Sequence, residues 1–136
     1  MSNTKNARRK RDAIGLTKNF KKERERLNRI VMKYARLGIK RLYSLDTLVY
    51  QKGALSKKTK EMLGLASSLV LRCDDCIHYH IARCYEEGVT DEELEETLAI
   101  AAVIGGTITI PHLRRALNIW DGMRSKNKGR RMQKGK

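Results

Sequence analysis

Proline is nearly absent, one residue in 136, and aromatic residues are scarce: one Phe, one Trp and five Tyr. The first scarcity leaves few built-in breaks to helical backbone. The second leaves Leu, Ile, Val, Ala and Met to build any core. No apolar run approaches the roughly 20 residues that cross a bilayer, so no transmembrane segment is expected. Cysteine is rare and odd in number, three in all, which does not suit a secreted disulfide scaffold; a cytoplasmic location is expected instead. The basic run Arg8-Arg9-Lys10-Arg11 leads only into Asp12-Ala13-Ile14-Gly15-Leu16-Thr17. It lacks the apolar stretch of a secretory leader, and too few apolar residues precede Leu16 for the amphipathic helix of a mitochondrial presequence.

Acidic residues are also in short supply, but only at the ends. The chain holds 30 Lys and Arg against 15 Asp and Glu, a net charge of +15. Residues 1–41 carry 15 of the basic residues and three acids, and residues 121–136 carry seven and one. Residues 42–120 hold the other eight basic and 11 acidic residues. A mildly acidic domain therefore sits between two basic arms. The expected organisation is a disordered basic arm over 1–18, a helical domain over 19–122 and a disordered basic tail over 123–136. Such arms attract polyanions without specificity, nucleic acid among them. They lack the interleaved aromatics of a base-stacking surface.

What is abundant is helical periodicity. Phe20, Leu27, Ile30, Val31, Tyr34 and Leu37 form a stripe from about Asn19, ended near Gly38. A second helix is predicted over Lys40–Gln51, and Lys52-Gly53-Ala54-Leu55 reads as a turn. Ser56 is an N-cap for a helix running to about Leu71. The next helix spans roughly 74–87, with Gly88 in the C-terminal stop position. Thr90 and Glu93 match a capping box for a helix to Gly105-Gly106, and a last helix begins near Pro111. Thr107–Ile110 fits either an extended or a helical path. The fold class is all-α.

One constellation carries chemistry: Cys73, Cys76, His80 and Cys84. At about 100° per residue they fall within an arc of roughly 80° on one helix. Thiols three residues apart at a helix start can close a disulfide, and the free N–H groups and dipole there favour thiolate. His80 lies one turn beyond Cys76 on the same face, placed to take its proton. Glu61 would be out of reach in an unbroken helix, roughly 18 Å from Cys73 along the axis. If the chain reverses at Arg72–Asp74, the axial offset between Glu61 and His80 shrinks to roughly 6 Å. A relay from Glu61 through His80 to a cysteine thiol then becomes feasible.

The spacing Glu61-x11-Cys73-x2-Cys76-x3-His80, with Gly88-Val89-Thr90 and an Ala-rich helix ending in Gly105-Gly106, resembles the carboxymuconolactone decarboxylase superfamily, and within it the alkylhydroperoxidase D-like branch. The resemblance covers about residues 42–120. It implies a helical bundle that assembles as a homo-oligomer, commonly a trimer or hexamer. It also implies an enzyme, a peroxidase that reduces hydroperoxides through the cysteine pair. In that scheme Cys76 is oxidised to a sulfenic acid, and Cys73 condenses with it to a disulfide. A thioredoxin-like or lipoyl-type dithiol resets the pair, and Glu61 and His80 relay protons. The decarboxylase branch does not depend on such a pair, so its presence argues against lactone decarboxylation. Asp75 stands where the best-known peroxidase members have His, and a carboxylate beside a thiol raises its pKa. A modest peroxidase rate follows.

Three alternatives compete. The cysteines could be two small core residues. They could bind zinc with His80 and Cys84, although one continuous helix cannot easily wrap four ligands around one ion. Or the chain could be a non-enzymatic nucleic-acid- or polyanion-associated protein on the same fold. No metal or cofactor is expected. Cys84 fits a buried small hydrophobe, His78 a solvated position, and His112 a structural one.

Overall fold

A computed structural model describes the backbone of residues 2–134 and the side chains of Thr4, Arg8 and residues 17–130. Among the described residues there are six α-helices and no strand. They are α1 (Ser2–Tyr34), α2 (Leu37–Val49), α3 (Lys57–Val70), α4 (Asp74–Glu86), α5 (Asp91–Gly105) and α6 (Ile110–Lys134), with a 3₁₀ turn at Thr107–Thr109 before α6. The stretch that fitted two conformations is thus helical. The chain is all-α.

Local chemistry sets most boundaries. The Ser56 hydroxyl accepts from the Thr59 N–H at 3.1 Å. Thr90 and Glu93 close the capping box, with the Glu93 N–H donating to Thr90 Oγ1 at 3.2 Å and the Thr90 N–H to Glu93 Oε2 at 2.9 Å. Gly88 adopts a left-handed φ of 77° just past α4, a conformation that suits glycine. The α3–α4 corner does the same with a non-glycine residue. Arg72 sits at φ 56°, while the Cys73 N–H returns to Ser68 O at 3.1 Å. That left-handed arginine costs on the order of 1 kcal/mol, and it reverses the chain so that α4 packs back along α3.

Helix α3 rests on α4 and α5, and α6 lies against α4 and α1. Between them is an aliphatic core of Leu65, Leu69, Ile77, Ile81, Leu94 and Leu98, all at most 2% exposed. Trp120 caps it, its indole N–H donating to Asp91 Oδ1 at 2.8 Å. Helix α2 is the exception, since none of its residues is buried. Leu42 and Leu48 are 63% and 67% exposed, and on α5 Val103 reaches 85%.

The helices at the two ends extend into the basic stretches. Helix α1 runs unbroken from Ser2 across the expected arm boundary, and α6 continues through residues 123–134, where a tail was expected. Lys, Arg, Ala and Gln are good helix formers, and excess charge on a solvated helix does not cancel that propensity. Met1 and residues 135 and 136 lie outside the described residues. At its other end α1 stops at Tyr34 rather than Gly38, because Arg36 turns extended (φ −102°, ψ −170°).

Candidate functional site

Helix α4 begins on a sulfur. Cys73 is its N-cap, with Sγ accepting the Cys76 N–H at 3.3 Å. The Cα atoms of Cys73 and Cys76 are 5.3 Å apart and their sulfurs are joined as a disulfide. Asp74 and Asp75 fill the first turn, where carboxylates complement the positive end of the helix. Asp74 is tied down by His112 Nδ1 at 2.7 Å and Arg115 at 3.0 Å. Burial would push its carboxyl up, but these two partners outweigh it and hold the pKa low. His112 therefore fastens the start of α6 to the start of α4.

One turn further into α4, His80 is buried against α3. Its Nδ1 lies 2.8 Å from Glu61 Oε2, and the two residues are 7% and 1% exposed. The reversal at Arg72 has brought together residues 19 positions apart in sequence. A carboxylate on Nδ1 favours the tautomer with its proton there, leaving Nε2 as the acceptor. That nitrogen faces the Tyr50 hydroxyl at 3.4 Å. Burial, then the nearby carboxylates Asp46 and Glu61, raise the Tyr50 pKa, which keeps the phenol protonated as a donor. Among the described residues the hydrogen-bonding partners of the His80 ring are Glu61 and Tyr50, not a cysteine sulfur. Arg83 approaches the other Glu61 oxygen at 3.5 Å and also pairs with Glu86.

Three residues that build this arrangement carry no signal in the cysteine motif. Tyr50 lies one residue past α2 and depends on where that helix ends. Lys60 fixes that end, donating to Val49 O at 2.8 Å and Gln51 O at 2.6 Å. Gly64 makes room for the imidazole, since a Cβ there would lie 2.6–2.9 Å from three His80 ring atoms. Gly64 sits three residues after Glu61, on the same helix face, which is the one clue the sequence offers.

Cys76 is exposed and opens onto a cavity of about 620 Å³, with His78, Tyr79 and His80 from α4 and Phe20 and Leu27 from α1 in its walls. His78 is not solvated as expected. Because α1 lies over this face of α4, the His78 ring stacks on Phe20 with centroids 4.0 Å apart, and burial lowers its pKa against the opposing pull of Asp75. Cys84 is fully buried in the aliphatic core. Burial, aided by Glu61, pushes its thiol up to about 12. The set Cys73, Cys76, His80 and Cys84 does not converge: among the described residues no three His, Cys, Asp or Glu side chains are grouped to hold a metal ion.

An all-helical domain with a two-cysteine helix start, backed by a buried carboxylate–histidine pair, defines a narrow structural class. The model of the carboxymuconolactone decarboxylase family matches residues 40–118. The chain belongs to that family. Among solved structures it is similar to a Thermotoga maritima protein at 50% identity and TM-score 0.81, over 82% of this chain and 98% of that one. A second structure from T. maritima, at TM-score 0.78 and again 50% identity, covers 82% of this chain and 94% of that one. It is described as a member of the same family suggested to take part in an antioxidative response. A Legionella pneumophila family member is 26% identical at TM-score 0.66, over 81% of this chain and 95% of that one. An uncharacterized protein of the cox locus in Paracoccus denitrificans is 32% identical over 57% of this chain and 70% of its own length.

Proposed function

We propose that the protein is a thiol peroxidase that reduces hydroperoxides through Cys76 and Cys73. The observation that carries this reading is the disulfide pair at an exposed helix N-terminus with the buried Glu61–His80 pair one turn behind it. In the reduced protein, His80 Nε2 exchanges its Tyr50 partner for the Cys76 thiol and takes its proton while Glu61 holds Nδ1–H. The Cys76 thiolate attacks the outer oxygen of the hydroperoxide. An S–O bond forms, the O–O bond breaks, and the leaving alkoxide takes the proton from His80 to depart as an alcohol. Cys73 thiolate then attacks the Cys76 sulfenic sulfur, forming the disulfide and releasing water once the departing hydroxide is protonated. A dithiol donor, thioredoxin-like or lipoyl-type, returns two electrons and two protons by two exchanges.

The cavity beside Cys76, with Phe20, Leu27 and Tyr79 in its walls, suits the organic part of a bulky hydroperoxide. Cys84 takes no part. The apolar faces left open on α2 and α5 fit the packing of further copies of the chain into a homo-oligomer, trimer or hexamer. The cytoplasm supplies the reducing environment such a cycle needs.

The test is steady-state consumption of an organic hydroperoxide with dihydrolipoamide or thioredoxin as donor. Wild-type protein turns over, Cys76→Ser does not, and Cys73→Ser reacts once and stops. Equal consumption by wild type and Cys76→Ser overturns the reading.

A further inference from the structure

The two most basic stretches stand at opposite ends of the sequence, yet α1 packs along α6. Between them, over α4, is a cleft of about 280 Å³ whose walls include Lys21, Lys126 and Arg130, with Tyr85 and Met123 also among its lining residues. Glu86 is the one acid among the lining residues; it pairs with Arg83 and, of the cations lining the cleft, with Lys21 at 3.7 Å. Lys126 and Arg130 are exposed, four residues apart on one face of α6, and no carboxylate among the described residues pairs with them. Lys18, Lys22 and Arg29 add exposed cations along α1, while Arg26 is held by Glu23 at 2.7 Å.

We propose that the α1–α6 cleft binds double-stranded nucleic acid through its phosphates, without reading base sequence. The cations are spread along two helices instead of gathered at a point, which suits a linear polyanion better than a single phosphate. From Lys18 to Arg29 is roughly 17 Å of helix, and that length of duplex carries on the order of ten phosphate charges. An anionic membrane fits less well, because an interfacial helix needs an apolar face to insert. Residues 124–130 contain no apolar side chain, and along 17–29 there are only two, Phe20, which is covered by His78, and Leu27, too few for an apolar face. This inference does not depend on the peroxidase reading, since no residue of the thiol site takes part.

The experiment follows anisotropy of a labelled mixed-sequence duplex of about 20 base pairs with the full chain, at roughly 50 to 200 mM salt. Binding is expected to weaken steeply with salt. The triple variant Lys21→Glu, Lys126→Glu, Arg130→Glu loses at least about tenfold in affinity and flattens the log–log salt slope by about three times 0.9. A charge-matched control, Lys40→Glu, Lys52→Glu, Arg114→Glu, changes net charge equally and keeps affinity within about threefold. The corresponding Lys21→Gln, Lys126→Gln, Arg130→Gln variant loses less than the Glu triple, with helicity by circular dichroism as the check on folding. Three results overturn the proposal: no salt-dependent binding to the duplex, equal losses in the Glu triple and its control, or cleft-dependent binding to phosphatidylglycerol vesicles alone.

Discussion

Helix α4 and its N-cap hold all three cysteines of the chain, and the two ends treat them in opposite ways. At the N-terminus, Cys73 caps the helix and Cys76 is exposed on a cavity, near the positive end of the helix dipole. Eight residues beyond Cys76, Cys84 is fully buried among aliphatic side chains, its thiol pushed up to about 12. The residue type is the same, and position on the helix decides whether thiolate is accessible or suppressed. His80 stands between the two ends. It is buried like Cys84, but its polar atoms are matched by Glu61 and Tyr50, so burial fixes its orientation instead of silencing it.

The largest effect expected from disturbing this contrast comes from Glu61→Gln. It keeps the shape but removes the charge that holds Nδ1–H, and hydroperoxide turnover should fall about a hundredfold. Stopped-flow consumption measures this, and a fall of less than threefold would remove Glu61 from the relay. Gly64→Ala comes next. The new Cβ overlaps the imidazole, so the ring must move; stability should drop by about 1–3 kcal/mol and turnover with it. Denaturant midpoints and the rate read the two losses separately.

Cys84→Ala tests the other end of α4. It should cost about 1 kcal/mol of stability through lost packing and leave turnover within a factor of two. Alkylation of the reduced protein near neutral pH should label Cys76 and spare Cys84 until the chain unfolds, because a thiol titrating at about 12 is almost wholly protonated there.

The smallest effect concerns His78. Its folded pKa is lowered by burial, so the stacked ring is neutral and the unfolded chain binds more protons. Its contribution to stability is therefore fully present above the unfolded value of about 6.5 and is lost as pH falls through the folded value. His78→Phe keeps the stack without titrating. The gap in melting temperature between this variant and wild type should widen from pH 7.5 to pH 5, and a constant gap would contradict the assignment.

Much of this was legible in the sequence because it depends on short-range chemistry. Ser56, Gly88 and the Thr90–Glu93 pair mark helix ends by their own hydrogen bonds or backbone freedom, and the structure uses all of them. Bringing Glu61 to His80 required only one reversal, and Arg72–Asp74 was the place for it. Tyr50 and Gly64 were not legible. One needs the end of α2 to be pinned by Lys60, and the other matters only because a ring from a different helix lies against it. His78 was misjudged for the same reason, since its surroundings come from α1. The basic ends were read from their charge, and their lysines, arginines and alanines also have helix propensity. Helix α2 shows the converse: its leucines have the periodicity of a buried stripe, but nothing among the described residues buries them.

The central claim is that Cys76 reacts with peroxide and Cys73 resolves the product. The direct measurement mixes fully reduced protein, in chelator, with one equivalent of an organic hydroperoxide, and maps quenched samples by intact mass and peptide mass. Rapid formation of a Cys73–Cys76 disulfide, with Cys84 still reduced and a sulfenic acid trapped on Cys76 in Cys73→Ser, is the predicted result. Oxidation of Cys76 no faster than that of an ordinary exposed thiol would contradict it.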